Sequence, residues 1–258
     1  MKVKIIDMDH IKIIQLNNYG NLFNDLYYSV SFENVMNGRQ GAKLVDSING
    51  YYSLVRTATE YTRPSQLFPC LYRDLMDDII TTIKQQTDIS NIRFNNALVE
   101  VYDTNYKNMQ YHSGPSVDLQ NSYICIFSCY PKNNKIERQL LIRNKQDQDD
   151  IQVIKLENNS CILFSTEFNK LYQHKIIYPS NSKSNTDKWL GITFRLSKTF
   201  VYYSNDIPYL KSGKLLRSAN DIDKAEFIKH KSNEYYNVGY TYPDIDYTLS
   251  IGDLLPVR

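Results

Sequence analysis

Three residues far apart in the sequence could together hold a metal ion and an organic acid: His112, His174 and Arg195. Each lies in a short stretch with chemistry of its own, Tyr-His-Ser-Gly for the first histidine and Tyr-Gln-His-Lys for the second. Neutral imidazole nitrogens are common ligands of transition metals, and a guanidinium binds a carboxylate through two parallel hydrogen bonds. The set therefore indicates a metal centre that an organic acid chelates.

Arg195 follows an alternating stretch that is typical of a strand. Alternation places Thr193 and Arg195 on one face, while the apolar residues Ile192 and Phe194 fall on the opposite face. If the first face lines the interior of a barrel, the arginine requires an anion, because an unpaired buried charge costs several kcal/mol. A substrate carboxylate would satisfy it. The alternative is an exposed strand with this arginine in solvent.

Length and composition fit one soluble globular domain. The chain has 258 residues, with 42% hydrophobic and 22% charged residues, and no apolar run approaches the roughly 20 residues of a membrane helix. We find no secretory signal, so we expect an intracellular protein, cytoplasmic or nuclear, with no membrane partner.

The four cysteines lack metal-site spacing and are expected to be reduced. The net charge of +2 permits a local basic surface for nucleic acid without requiring one.

Closely spaced strand-like segments after residue 94 predict an antiparallel sandwich or jelly roll, a mainly β fold with flanking helices. Helical spacing predicts helices near 22–30, 71–84 and 219–231. The polar and aromatic stretch from Gln40 to Pro64 is either a strand pair near the site or a surface loop, and we favour the loop. We expect one domain in three parts: N-terminal strands and supporting helices (1–93), a β core (94–200) and a C-terminal extension (201–258).

The stretch from Phe94 to Ser197 resembles the AlkB-like branch of the iron and 2-oxoglutarate dioxygenases. The matching residues are Asn96 to Tyr102, His112, Phe127-Ser128, Arg138 to Arg143, Asn169, His174 and Thr193-Phe194-Arg195. The resemblance implies a double-stranded β-helix, a form of jelly roll, which the N-terminal helices would buttress.

The resemblance also implies roles for particular residues. His112 and His174 would bind Fe(II), while Tyr102 and Arg195 would contact 2-oxoglutarate, with Thr193 in the same motif. The implied reaction hydroxylates an N-alkyl carbon while 2-oxoglutarate is decarboxylated to succinate and carbon dioxide, and the alkyl group is then lost as an aldehyde. Alkylated bases of DNA or RNA are the implied substrates.

Three positions depart from the family pattern. Gly114 stands where the family has the metal-binding aspartate, two residues after the first histidine. Trp189 replaces a second arginine, with Lys188 beside it as a substitute cation. Glu100 replaces an asparagine and would place a negative charge near the organic acid.

The glycine leaves several alternatives open. Asp118, four residues further on, is a tentative third metal ligand, since the Gly-Pro pair before it permits an unusual turn. A halide or a water molecule would fill the position in an iron halogenase. The remaining alternatives are a chain altered at this position and a catalytically impaired AlkB-like protein that binds nucleic acid without turnover.

Overall fold

The computed structural model describes residues 10–17, 19–107, 109–114, 121–179, 187–237 and 239–258. Its strands are β1 (Ile11–Gln15), β2 (Glu33–Met36), β3 (Arg39–Val45), β4 (Ser47–Ile48), β5 (Tyr51–Ser53), β6 (Gln66–Leu67), β7 (Asn96–Asp103), β8 (Tyr123–Cys129), β9 (Gln139–Asn144), β10 (Ile151–Lys155), β11 (Ser160–Ser165), β12 (Tyr172–Ile177), β13 (Lys188–Arg195), β14 (Phe200–Ser204), β15 (Ile207–Leu210), β16 (Arg217–Ser218) and β17 (Tyr247–Thr248). Its helices are α1 (Phe23–Tyr28), α2 (Cys70–Gln86), α3 (Thr166–Leu171) and α4 (Asp221–Tyr236).

A large sheet and a small sheet form the body of the fold. The large sheet has the order β1-β11-β8-β13-β7-β3-β2, antiparallel throughout, with β6 added in parallel to β3. The small sheet has the order β10-β9-β12, and an isolated antiparallel bridge between His112 and His174 extends it by one more segment. The predicted fold class, mainly β with flanking helices and a jelly-roll arrangement of antiparallel strands, is confirmed.

Two hydrophobic cores lie on opposite faces of the large sheet. On one face, β7, β8 and β13 pack against α1 and α2, with buried residues such as Leu26, Ile79 and Phe194. On the other face, the large sheet packs against the small one through residues such as Ile126 and Ile142. The space between the two sheets opens into the cleft described below.

The sequence interpretation of residues 40–64 as a loop is wrong. Its first part belongs to β3, which pairs with β7 along the whole register from Arg39 to Val45. Its second part contributes β4 and β5, and β5 pairs with β14 from the C-terminal part of the chain. Local patterning missed β3 and β5 because the strands that fix them in the fold, β7 and β14, are distant in sequence.

The C-terminal extension is paired with the N-terminal part at several points. The backbone of Arg258 donates to Ser65 O at 3.1 Å and accepts from Leu67 N at 2.7 Å. The helix predicted near 219–231 is α4, and the side chain of Asn220 caps it in a capping box with Asp223. No helix in the described part of the chain is long and apolar enough to cross a membrane.

All four cysteines are free thiols. Cys125 and Cys129 are buried in β8 and Cys161 in β11, whereas Cys70 is exposed at the first residue of α2. The three buried thiols pack as small hydrophobic residues, whereas Cys70 does not.

A buried ion pair joins the end of the chain to the large sheet. The ammonium of Lys43 on β3 hydrogen-bonds Asp253, and both side chains are only 1% exposed. Thr248 Oγ1 donates to the other carboxylate oxygen of Asp253 at 2.5 Å. Because each charge is removed from water, either one alone would be strongly unfavourable.

We expect Lys43→Met to lower the free energy of unfolding by about 3–5 kcal/mol, because it leaves the Asp253 carboxylate buried without its cation. The double variant Lys43→Met with Asp253→Leu should regain most of that loss. Urea unfolding measures the free energy of unfolding of the single and the double variant. Lys155→Met, which breaks an exposed pair with Glu137, is the control and should change stability little. Equal effects of Lys43→Met and Lys155→Met would contradict this prediction.

Candidate metal and ligand site

The backbone holds the two candidate metal-binding histidines side by side. His112 N donates to His174 O at 3.0 Å, and His174 N donates to His112 O at 2.8 Å. Their ring centroids are 4.6 Å apart, and the rings are tilted by 54°. Phe164 packs against His174 with a centroid distance of 5.6 Å. Two residues separated by more than sixty positions therefore present their imidazoles at one place.

A hydrogen bond sets the tautomer of His112. Its Nδ1 lies 3.1 Å from the carbonyl oxygen of Gln110. A carbonyl oxygen only accepts, so Nδ1 carries the proton and the lone pair of the neutral ring is on Nε2. This is the arrangement in which a histidine offers Nε2 to a metal while its other nitrogen is fixed by a hydrogen bond.

Both imidazoles favour the neutral form. Burial lowers the pKa of His112, although its hydrogen bond to Gln110 acts in the opposite direction. Burial lowers the pKa of His174 well below its usual range, and the neighbouring charges of His112 and Arg195 lower it further. Neutral imidazole is the form that ligates a transition metal, so the pair is prepared for such a role at neutral pH.

Asn169 fixes the chain just after the first histidine. Its side-chain amide accepts from Gly114 N at 3.1 Å and donates to Gly114 O at 2.8 Å. The Asn169 side chain lies at the C-terminal end of α3 and is 3% exposed. Both backbone groups of Gly114 are thus held by one buried side chain, which orients the segment that carries His112.

The guanidinium of Arg195 lies directly beside Gly114. A Cβ atom built on this glycine would lie 2.9 Å from Nη2 and 3.2 Å from Nη1 of Arg195. The glycine does not have a positive φ, so its backbone does not require the absence of a side chain. Residue 114, where the resemblance places a metal-binding carboxylate, therefore adjoins a cation.

The histidines and Arg195 line a cleft of about 340 Å³ between the two sheets. Its apolar and aromatic wall is made by Tyr102, Tyr106, Met109, Ile124, Ile126, Ile176 and Trp189. Thr193, next but one to Arg195 on β13, lines the same cleft. The predicted cofactor residues Tyr102, Thr193 and Arg195 are thus brought together with His112 and His174.

The charges that line the cleft are mostly positive. They comprise four cations, Arg39, Arg56, Arg195 and Lys231, against the single carboxylate of Glu100, a net charge of +3 with neutral histidines. Such a cleft favours an anionic ligand.

Glu100 is a buried residue in the wall of the cleft. Arg39 Nε donates to Glu100 Oε1 at 2.7 Å, and Arg39 Nη2 also bonds this oxygen. The hydroxyl of Tyr102 donates to Glu100 Oε2 at 2.7 Å. The carboxylate expected to repel an organic acid is therefore held by Arg39 and by Tyr102, the tyrosine expected to contact that acid.

Trp189 occupies the cleft face of β13, whereas Lys188 does not. The indole of Trp189 is buried against Tyr102 with a centroid distance of 4.8 Å, and it lies over Gly191, where any Cβ would overlap the ring. The ammonium of Lys188 lies 5.9 Å from the ring centroid of Tyr27, a residue of α1. Arg39, rather than Lys188, supplies the additional cation in this part of the cleft.

The described residues fit an iron site in part. His112 and His174 provide two neutral nitrogens, but residue 114 provides no carboxylate. Within the described ranges, no group of three or more His, Cys, Asp or Glu side chains is arranged to hold a metal ion. Asp118, the tentative third ligand, lies outside the described residues.

Several residues of the site were not singled out by sequence reasoning. Arg39 comes from β3, Arg56 from the segment after β5, and Lys231 from α4 in the C-terminal extension. A basic residue in a loop or on an amphipathic helix carries no local signal for a cleft. Asn169 differs from these residues, because the sequence comparison with the matching motif includes it. Its role in holding Gly114 follows only from the structure.

Comparisons with known proteins give limited information. No family model and no curated protein matches the chain. The solved structure of OsALKBH1 is similar, with 15% sequence identity over 61% of this chain and 78% of that chain, at a TM-score of 0.40. At this level the similarity carries no argument about activity, cofactors or residue roles.

We expect Asn169→Ala to lower the free energy of unfolding by about 1–3 kcal/mol, because two backbone groups of Gly114 lose their buried partner. Amide hydrogen exchange at Gly114 should become faster. Asn169→Asp is the matched control, since it keeps the acceptor for Gly114 N and should retain part of the protection. Unchanged exchange at Gly114 in Asn169→Ala would show that this side chain does not fix the segment.

Acidification should destabilise the protein through His112 and His174. Their folded-state pKa is lowered, so between that pKa and the unfolded value of about 6.5 only the unfolded chain takes up the proton. Stability is therefore complete above about pH 6.5 and falls as the pH drops below it, by up to about 1.4 kcal/mol per pH unit for each histidine.

The measurement is urea unfolding at about pH 7.5 and about pH 5.5 for the wild type and His174→Asn. The variant should show a smaller loss on acidification, because it lacks one of the groups that titrate. Carboxylates contribute to both proteins alike, so the difference between the two slopes isolates the histidine. Identical slopes would rule out a depressed pKa for His174.

Proposed function

We propose that this protein is an AlkB-like dioxygenase dependent on Fe(II) and 2-oxoglutarate, which removes alkyl groups from nucleobases in DNA or RNA. The observation that carries the proposal is the pair of neutral imidazoles, His112 and His174, fixed by reciprocal backbone hydrogen bonds. They lie in a cationic cleft together with Arg195, and all three residues belong to the matching motif.

Each group of residues in the cleft would have its own role. His112 and His174 would hold the metal through neutral nitrogens, and Arg195 would bind a carboxylate of the organic acid. The apolar wall that includes Ile126 and Trp189 would exclude water and pack against a flat base. Iron and 2-oxoglutarate, when bound, would supply the oxidation of the alkyl carbon.

A second candidate is a catalytically impaired AlkB-like protein that binds nucleic acid without turnover. Two observations favour it. The position of the missing carboxylate adjoins the Arg195 guanidinium, which opposes a bare divalent cation. In addition, Glu100 already engages both Arg39 and Tyr102, so an incoming carboxylate would meet a negative charge there.

Restoring the aspartate distinguishes the two candidates. Gly114→Asp should fold well, because the backbone tolerates a side chain and the nearest atoms are the flexible end of Arg195. The new carboxylate would pair with this guanidinium and add a hard oxygen ligand to the two nitrogens. Gly114→Asn is the matched control, equal in size but without the charge.

The measurement is anaerobic titration with Fe(II) and 2-oxoglutarate, following the visible charge-transfer band that forms when the acid chelates the iron. A band in the wild type supports the dioxygenase, with a third ligand from elsewhere than residue 114. A band in Gly114→Asp alone, absent in Gly114→Asn, supports the impaired protein. If no variant gives the band, and Gly114→Asp is folded by circular dichroism, the metal site is wrongly assigned.

Succinate release in the presence of methylated single-stranded DNA or RNA then tests the reaction in whichever protein gives the band. His174→Ala on the same background is the control, since it removes one of the two imidazoles. If this control forms succinate equally fast, the activity does not come from this site.

A further inference from the structure

A second concave surface lies next to the cleft, in a part of the chain to which the proposed function gives no role. This groove, of about 590 Å³, runs between the β14–β15 hairpin and residues 242–246. One side is formed by Lys198, Phe200 and Lys211, and the other by Tyr242 and Asp244. Most of the lining comes from the last residues of the β core and from the C-terminal extension.

The groove carries an excess of positive charge. Its lining includes four cations, Arg56, Lys198, Lys211 and Lys214, against two carboxylates, Asp244 and Asp246, a net charge of +2. Lys214 is already paired with Asp246 at 3.2 Å, and Asp246 also bonds Arg217. Lys198 and Lys211 are exposed and form no ion pair within the part of the chain that the structure describes. These two lysines are thus available to an outside anion.

Aromatic rings accompany these cations. The ammonium of Lys211 lies 5.6 Å from the ring centroid of Tyr51 and 5.8 Å from that of Phe200. Tyr51 contacts Tyr202 at 5.6 Å, and Tyr202 stacks on Tyr209 at 5.5 Å. All four rings are only partly buried. Of this aromatic row, Tyr51, Phe200, Tyr202 and Tyr209, only Phe200 lines the groove itself, and the three tyrosines continue from Lys211 beyond its edge.

Arg56 connects the groove to the cleft, because its side chain lines both. Its guanidinium donates to Tyr247 O at 2.6 Å and to Ile245 O at 2.8 Å, so it is held by neutral carbonyls. Its positive charge therefore acts on both spaces. The groove and the cleft are therefore neighbours with one cationic residue between them.

We propose that this groove binds the phosphate backbone of a single-stranded nucleic acid, with bases stacking on the aromatic row while a neighbouring base enters the cleft. The inference rests on the proposed function for the identity of the polymer. Cations that follow the backbone, interleaved with aromatic rings, are the general means of binding single strands. A duplex fits less well, because its base faces are already stacked and cannot reach the rings.

The test uses a double variant, the groove variant, that carries both Lys198→Gln and Lys211→Gln. The matched control is the double variant Lys84→Gln with Lys155→Gln, which removes two exposed lysines that line neither the cleft nor the groove. Fluorescence anisotropy of a short labelled single-stranded oligonucleotide gives the dissociation constant over a range of salt concentrations. No metal or co-substrate is required, so the measurement is independent of turnover.

Each phosphate contact contributes about 0.7 to the slope of log affinity against log salt for single strands. The groove variant should therefore lose about 1.4 from this slope and bind more weakly at low salt, while the control keeps the wild-type slope. Tyr202→Leu should weaken binding without changing the slope, because stacking releases no counterions.

The outcomes separate this inference from the proposed function. If the wild type binds the oligonucleotide and the groove variant binds it equally well, the proposed role of the groove is wrong. The proposal of a nucleic-acid partner would still stand. If a duplex of the same sequence binds as tightly as the single strand, the stacking on the aromatic row is overturned. If the wild type does not bind at low salt, both the groove and the nucleic-acid partner are overturned.

Discussion

The alternation of side chains along β13 is the constraint on which both the core and the site depend. Leu190 and Phe194 pack towards the helices, whereas Trp189 and Arg195 face the cleft. A shift of the register by one residue would exchange the two faces and bury the guanidinium among the helices. Pairing with β7 on one side and β8 on the other fixes the register. The position of the guanidinium is thus set by the same packing that stabilises the fold.

Sequence patterning identified the strands of the β core because each has a buried face and closely spaced neighbours. It failed for β3, where Lys43 interrupts the apolar pattern. The partner that makes a buried lysine acceptable is Asp253, more than two hundred residues away, and no local window contains both. The strand β5 was missed for a related reason, since β14, one of its two pairing partners, comes at the end of the core.

The candidate site could be predicted in its central residues and not in its surroundings. His112, His174 and Arg195 lie in motifs with recognisable chemistry, and the fold brings them to one cleft. The electrostatic balance of that cleft could not be predicted, because Arg39 and Lys231 come from elements on either side of the matching stretch. The departure at Glu100 was visible in the sequence, but its ion pair with Arg39 required the pairing of β3 with β7.

The helix α2 covers the face of the large sheet that lies away from the cleft, and its first residue is Cys70. The other three thiols are enclosed in β8 and β11. A maleimide dye added to the native protein would therefore attach at a single position, behind the sheet and clear of the ligand. Such a label allows energy-transfer measurements on the wild-type sequence, with no cysteine removed or introduced.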